Sequence, residues 1–166
     1  SLQYISLGLP AIISNNQVIE SDIASLKGFP FDKKIQKEII LMNDIKCIAY
    51  GYNQIHHQNV CFLTFPKDSG PGCGMILDNQ LIDGNNGVAG EIAYLPLFDF
   101  FKKREFDNSL EKIIQVVATT IVMYNPHLLI LTGENIKEDD FFTSAIATAK
   151  YIAKNYSERK CFMLGE

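Results

Sequence analysis

The residues best suited to chemistry are Asn43 and Asp44, which stand between the apolar run Ile39-Ile40-Leu41-Met42 and a segment with helical periodicity. That order predicts a strand ending at the pair and a helix opening from it. In open α/β sheets the carboxyl ends of strands face the ligand crevice. A carboxylate there can take a proton from an alcohol and serve as general base toward a phosphoryl acceptor. The same position equally suits an N-cap, with Asp44 capping a helix that starts at Ile45. Glu91 follows the loop Asn85-Asn86-Gly87-Val88-Ala89-Gly90. A carboxylate beside such a loop can accept two hydroxyls, or can stand as a solvated loop charge. Asp68-Ser69-Gly70-Pro71-Gly72-Cys73-Gly74 carries glycines at alternate positions. This pattern admits close approach of backbone N–H groups to an anion, or a turn between two strands. No Gly-Lys-Ser/Thr follows, which excludes a Walker loop, and a strand follows rather than a helix, which excludes a dinucleotide fingerprint.

Metal chemistry has little to build on. Cys47, Cys61, Cys73 and Cys161 form no Cys-x-x-Cys pair and read as free thiols, two of them in apolar strands. His56-His57 reads as a helix end, with metal ligation the alternative, and His127 as a turn residue after Asn125-Pro126. No metal site is expected.

The elements that must position these residues follow from periodicity. Tyr4 to Leu9 reads as a strand closed by Pro10, and Ala11 to Ile19 as a strand, a turn at Ser14 to Gln17 and a second strand. Asp32 is expected to cap a short helix to about Glu38. A helix from Asn43-Asp44 runs to about Gln54. Val60 to Phe65 is the clearest strand, rich in β-formers. Met75 to Leu77 and Gln80 to Ile82 flank a tight turn at Asp78-Asn79. Asn108 and Glu111 have capping-box spacing, and Leu110, Ile113, Ile114, Val117 and Ile121 mark one helical face to about Tyr124. Strands are expected at His127 to Leu131 and Lys160 to Leu164, with a helix between at about Glu138 to Asn155. Alternation of strand and helix is the grammar of a parallel α/β sheet.

Composition agrees with a folded chain: 166 residues, 47% hydrophobic and 20% charged. With 15 basic against 19 acidic residues the net charge is −4, so these residues have no basic excess for neutralising phosphates. No apolar run approaches the roughly 20 residues of a membrane span, and the first ten residues lack the charged start and apolar block of a signal peptide. A cytoplasmic protein without membrane contact is expected.

Taken in order, the motifs resemble those of the ROK family (repressors, open reading frames, kinases). Ile40-Leu-Met-Asn43-Asp44-Ile-Lys-Cys-Ile-Ala49 resembles its "pvxxeNDanaaA" segment. Phe62 to Ile92, through Ser69, Gly70, Gly72, Gly74, Gly84, Gly90 and Glu91, is similar to its "GtGiGaGiixdgxlxxGxngxAGEiGH" signature. Tyr4 to Pro10 resembles "igigxPG", and Asn125 to Gly133 resembles "lxPexivlgGg".

The resemblance implies an actin-like (ribonuclease H-like) ATPase/sugar-kinase fold, present in part, with mixed sheets flanked by helices. It divides the chain into a sugar-binding lobe at 1–98 and a helix–strand–helix–strand segment of the last lobe at 99–166. Asn43, Asp44, Glu91 and Tyr94 would be the substrate-binding residues. Asp44 would be the catalytic base in a kinase, whose ATP and Mg²⁺ would meet Ser69, Gly70, Gly72 and Gly133. The family's opening "DxGxT" strand and "CxCGxxGCxE" zinc loop have no counterpart here, and its final Gly-His is Ala93-Tyr94. These departures favour a sugar-sensing effector module of a NagC/XylR-type regulator over a fragment or reduced form of a sugar kinase. No zinc and no other cofactor is then expected. The implied partners are a small sugar, a second copy of the chain, and DNA through an upstream region such as a winged helix.

Overall fold

The central strand of the computed structural model, β5 (Val60–Thr64), explains the arrangement of the rest. The structure describes residues 3–31, 37–67, 69–98, 109–133, 136 and 160–163. Four successive residues of β5 are buried, as a strand covered on both faces requires. Cys61 and Leu63 join one apolar cluster, and Val60 and Phe62 join another on the opposite face.

Each cluster is closed by a helix. The first is covered by α2 (Leu110–Tyr124), which buries Ile113, Val116, Val117 and Ile121. The second is covered by α1 (Asp44–His56), through Ile45, Ala49 and Tyr52. Around β5 the sheet runs β7 (Gln80–Leu81), β6 (Gly72–Leu77), β5, β8 (Leu128–Thr132) and β9 (Lys160–Met163). The β6 and β7 pairings are antiparallel, whereas β8 lies parallel to β5 and β9 parallel to β8. Asp78 and Asn79 join β6 to β7 with positive φ of 51° and 61°, the geometry of the tight turn expected there.

Two smaller sheets complete the described residues. β1 (Tyr4–Leu9) pairs in parallel with β4 (Glu38–Asn43), and β2 (Ile12–Ser14) forms a hairpin with β3 (Gln17–Glu20). Ala11, Ile13, Ile39 and Leu41 make a third apolar cluster between them. Asn16, at positive φ in the hairpin turn, straps it to the edge of β4. Its Nδ2 donates to the Ile39 carbonyl at 2.6 Å, and its Oδ1 accepts from the Leu41 N–H at 2.6 Å. One side-chain amide thus satisfies the strand edge as a neighbouring strand would.

Two expectations need correction. The short helix was expected to reach Glu38, but Glu38 begins β4; residues 32–36 lie outside the described residues. α2 is preceded at its N-cap position by Ser109, which makes no side-chain cap hydrogen bond; Asn108 lies outside the described residues. The helix expected over 138–155 lies outside the described residues, as do the side chains of the last strand. The overall class is the expected one, mixed α/β with helices on both faces of the main sheet.

Candidate functional site

The β4–α1 junction is built by its own residues. Asn43 is the N-cap: it has extended backbone, and its Oδ1 accepts from the Lys46 N–H at 3.1 Å. Its Nδ2 donates to the Ala11 carbonyl at 3.1 Å, tying the helix start to the chain that leads into β2. Asp44 is therefore the first helical residue rather than the cap, and its Oδ1 accepts from the Ile45 N–H at 2.8 Å. An acidic side chain in the first turn also meets the positive end of the helix dipole.

α1 lies close against β6. A Cβ on Gly74 would sit 2.7 Å from the Ile45 carbonyl oxygen and 2.9 Å from the Ala49 Cβ. One on Gly72 would sit 3.3 Å from the Ile45 side chain. The alternating glycines of β6 thus make room for a helix, a reason separate from anion binding.

The loop from Asp83 to Gly90 folds back over this junction. Gly87 has φ +75°, and a Cβ there would lie 1.9 Å from the Ile13 carbonyl oxygen. Gly90 has φ +93°, and its Cβ would lie 2.2 Å from the Cys73 carbonyl oxygen. Only glycine allows both the handedness and the approach. The Gly90 carbonyl accepts from the Cys73 and Ile92 N–H groups, at 3.0 and 2.8 Å. Glu91 is thereby held against the edge of β6, at the start of the short turn Ile92–Tyr94.

These elements enclose a cavity of about 360 Å³, toward the small end of small-molecule sites. Asn43, Asp44, Ser69, Gly70, Gly72, Glu91 and Tyr94 all line it. Residues far apart in sequence thus converge on one crevice. Gly133 does not line it: it follows β8, and its lack of a Cβ lets it lie against the Phe65 carbonyl. Glu20, Ser21 and Asp22, which follow the hairpin, also line it, with Ser21 Oγ donating to the Pro10 carbonyl at 2.8 Å.

The lining is acidic. It contains Glu20, Asp22, Asp44 and Glu91, and among the described residues no Lys, Arg or His. Burial pushes the half-buried Glu91 carboxyl above its ordinary value; Lys46 opposes this, while Asp44, Asp22 and Asp83 add to it. Burial likewise raises the Tyr94 phenol, with Glu91, Asp22 and Glu20 contributing. Lys27, 2.6 Å away, holds the exposed Glu20 carboxyl below its usual value.

Lys46 and Asp83 were missed by the reading of motifs. The Lys46 side chain is buried, pairs with Asp83 and donates to the Gly87 carbonyl at 2.7 Å. The signal was its spacing: Lys46, Ala49 and Asn53 share the buried stripe of α1.

The remaining candidates are structural in the described residues. His57 is the left-handed C-cap of α1, its N–H donating to the Asn53 carbonyl at 2.7 Å, and His56 stacks on Tyr52. The buried Cys61 and Cys73 are free thiols in hydrogen-bond contact at 3.6 Å, and that bond, with burial, drives the Cys61 thiol well above its ordinary value.

A profile of the ROK family matches residues 1–103. N-acetyl-D-glucosamine kinase of Pectobacterium carotovorum subsp. carotovorum (strain PC1) is 23% identical over 101 residues, covering 56% of this chain and 33% of the relative. The enzyme of the same name from Pectobacterium atrosepticum is 22% identical over a stretch of the same length. The chain spans about a third of the length of these curated relatives. Among solved structures, a ROK family protein from Streptococcus pneumoniae TIGR4 in complex with sucrose has a TM-score of 0.65 at 14% identity, covering 95% of this chain and 73% of that one. ROK hexokinase from Thermus thermophilus has a TM-score of 0.66 at 12% identity, with 95% and 71% covered. A ROK transcriptional regulator homologous to the E. coli MLC protein has a TM-score of 0.64 at 14% identity, with 97% and 58% covered. The fold is thus the actin-like one of the ROK kinases and regulators.

Proposed function

This chain belongs to the ROK family, and on that premise we propose that it is the sugar-sensing effector module of a ROK-type transcriptional regulator and binds a sugar without phosphorylating it. The observation that carries the proposal is that Asp44 and Glu91 line one small cavity, beside a glycine-bearing turn. A carboxylate is an acceptor-only group that takes hydroxyl donors in pairs, which suits a polyol. Each hydrogen bond to a charged acceptor contributes about 1.5–3 kcal/mol.

Asp44 lies at the pocket end of α1 and would accept one or two hydroxyls; Glu91 would accept others across the cavity. Asn43 spends its amide on the helix cap and on Ala11, so its contribution is to hold Asp44 in place. Tyr94 lies at the rim, half exposed, and offers a phenol and a ring face. With about two carboxylates bearing the load, a millimolar dissociation constant, about −4 kcal/mol, is expected. DNA contact by the whole protein would fall to segments other than this acidic chain, and pairing with a second copy belongs to the same proposal.

The described residues do not fit a nucleotide well. Ser69, Gly70 and Gly72 border the cavity near Asp44, but the described lining supplies four carboxylates and no cation to a triphosphate. A second reading, a piece of a ROK sugar kinase with Asp44 as base, is favoured by the likeness to the Pectobacterium kinases. ATP with Mg²⁺ would then supply the transferred phosphoryl group.

Calorimetric titration of a panel of hexoses and acetylated hexosamines into wild type and Glu91→Ala tests the binding. Saturable heat in wild type that is lost in the variant is expected; equal heats in both would refute the site. Incubation with ATP, Mg²⁺ and the same panel separates the two readings. Sugar phosphate formed above background and abolished by Asp44→Asn would establish the kinase.

A further inference from the structure

Lys46 carries the only charge among the buried described residues, at 2% exposure, and its place is set by groups that also position Glu91. Its backbone N–H is held by the Asn43 cap, and its ammonium crosses to the 83–90 loop, where it pairs with Asp83 and donates to the Gly87 carbonyl. Asp83 and Gly87 precede Glu91 by eight and four residues in one loop. That loop is otherwise pinned to Ile13 and Cys73 by glycine contacts too close for any side chain. Glu91 faces Asp44 from α1, Asp22 from the chain after β3, and Asp83 from its own loop, with the Tyr94 phenol beyond it. Among the described groups acting on Glu91, Lys46 is the sole cation.

We propose that Lys46 is a positioning residue for Glu91: clamped by Asp83 and the Gly87 carbonyl, its ammonium fixes the loop that presents Glu91 and supplies the counter-charge for its carboxylate. The use of Glu91 for sugar hydroxyls rests on the function proposed above; the clamp itself does not. A buried, partnered ammonium suits this role because it is desolvated only once its donors are satisfied, so its field and its geometry come together. Burial alone would favour the protonated acid, a group that has lost much of its capacity to accept hydroxyl donors. The cation acts against that, as seen in its lowering effect on the Glu91 carboxyl.

The test is a carbon-detected NMR titration of the side-chain carboxyls of the free protein, with Glu91 assigned from the spectrum of Glu91→Gln. Lys46→Gln keeps a donor for the Gly87 carbonyl but removes the charge, and should move the Glu91 midpoint upward by about one pH unit, a ten-fold change in proton affinity. Asp83→Asn breaks the same ion pair but leaves the cation and deletes a carboxylate, and should move the midpoint downward. A merely structural clamp would respond alike to both variants. Shifts in the same direction, or none, would overturn the proposal. Asp83 is half exposed, so Asp83→Asn should fold even where Lys46→Gln does not. In that event Lys46→Met in the Asp83→Asn background, which leaves neither charge unpaired, is compared with Asp83→Asn alone: a higher Glu91 midpoint in the double variant supports the proposal, and an equal or lower one overturns it. Titration of the hexose panel at a pH between the midpoints of wild type and Lys46→Gln gives the functional readout. Several-fold weaker binding in Lys46→Gln is expected. Absence of sugar binding in wild type would remove the sugar reading and leave the carboxyl titration to decide on Lys46.

Discussion

Replacing Gly90 by Ala tests how the glycine loop presents Glu91. Gly90 has φ +93°, and an added Cβ would lie 2.2 Å from the Cys73 carbonyl oxygen, a backbone atom of the central sheet. The left-handed backbone alone costs an L-residue about 1–2 kcal/mol. Overpacking against backbone that cannot rotate away adds about 1–3 kcal/mol, for a total of about 2–5 kcal/mol. Two other glycines provide internal controls. Gly28 also has positive φ, +70°, but nothing lies within 4 Å of its Cβ position, so Gly28→Ala should cost only the backbone strain. Gly51 lies inside α1 with open space around it, so Gly51→Ala should stabilise the protein by about 0.5–1 kcal/mol through helix propensity. Urea unfolding of the three variants gives the comparison through midpoints at constant slope. The expected order of stability is Gly51→Ala, wild type, Gly28→Ala, Gly90→Ala. Displacing the Gly90 carbonyl also strains its bonds to the Cys73 and Ile92 N–H groups, so sugar heat should fall in Gly90→Ala and persist in Gly28→Ala. A loss in Gly90→Ala no larger than in Gly28→Ala would refute the close packing of the loop on β6.

Glu91→Gln should be at least as stable as wild type in urea at neutral pH. A carboxyl whose folded value is raised stabilises the fold at low pH and loses that contribution as pH rises through the raised value. With the same raised carboxyl, sugar affinity should fall as pH drops through a midpoint above the ordinary glutamate value, and calorimetry across acidic pH reads it. Asn43→Ala removes the α1 cap and the tie to Ala11 and should cost about 1–2 kcal/mol by denaturation, more than the roughly 1 kcal/mol of a cap alone. Cys61, buried and with its thiol held high, should resist maleimide in the native protein and react after unfolding, as mass spectrometry of labelled peptides would report. Metal analysis of the purified protein should find no zinc; zinc near one equivalent would show a site missed in the ligand spacings.

The fold class and the order of the elements were legible in the sequence because burial imposes periodicity. The continuous apolar run at β5, the helical stripe of α2, and the paired turn residues at Asp78-Asn79 are local signals with local causes. Asn43, Asp44 and Glu91 could be singled out as well, since polar residues at a strand end and after a glycine loop are visible without a fold. Which residue caps α1 was not legible: Asn43 and Asp44 are both good caps, and the reach of the Asn43 amide to Ala11 decides between them. The alternating glycines of β6 read equally as an anion cradle or a turn between strands, and sequence cannot show α1 crossing within 2.7 Å of a missing Cβ. The motifs do not mark Lys46, because its partners, Asp83 and the Gly87 carbonyl, stand 37 and 41 residues away. The desolvation of Glu91 and the field of three other carboxylates upon it arise only when the hairpin, the β4–α1 junction and the loop come together. Residue type and local spacing name the groups that can do chemistry. Long-range packing decides which of them share a cavity and what charge they carry there.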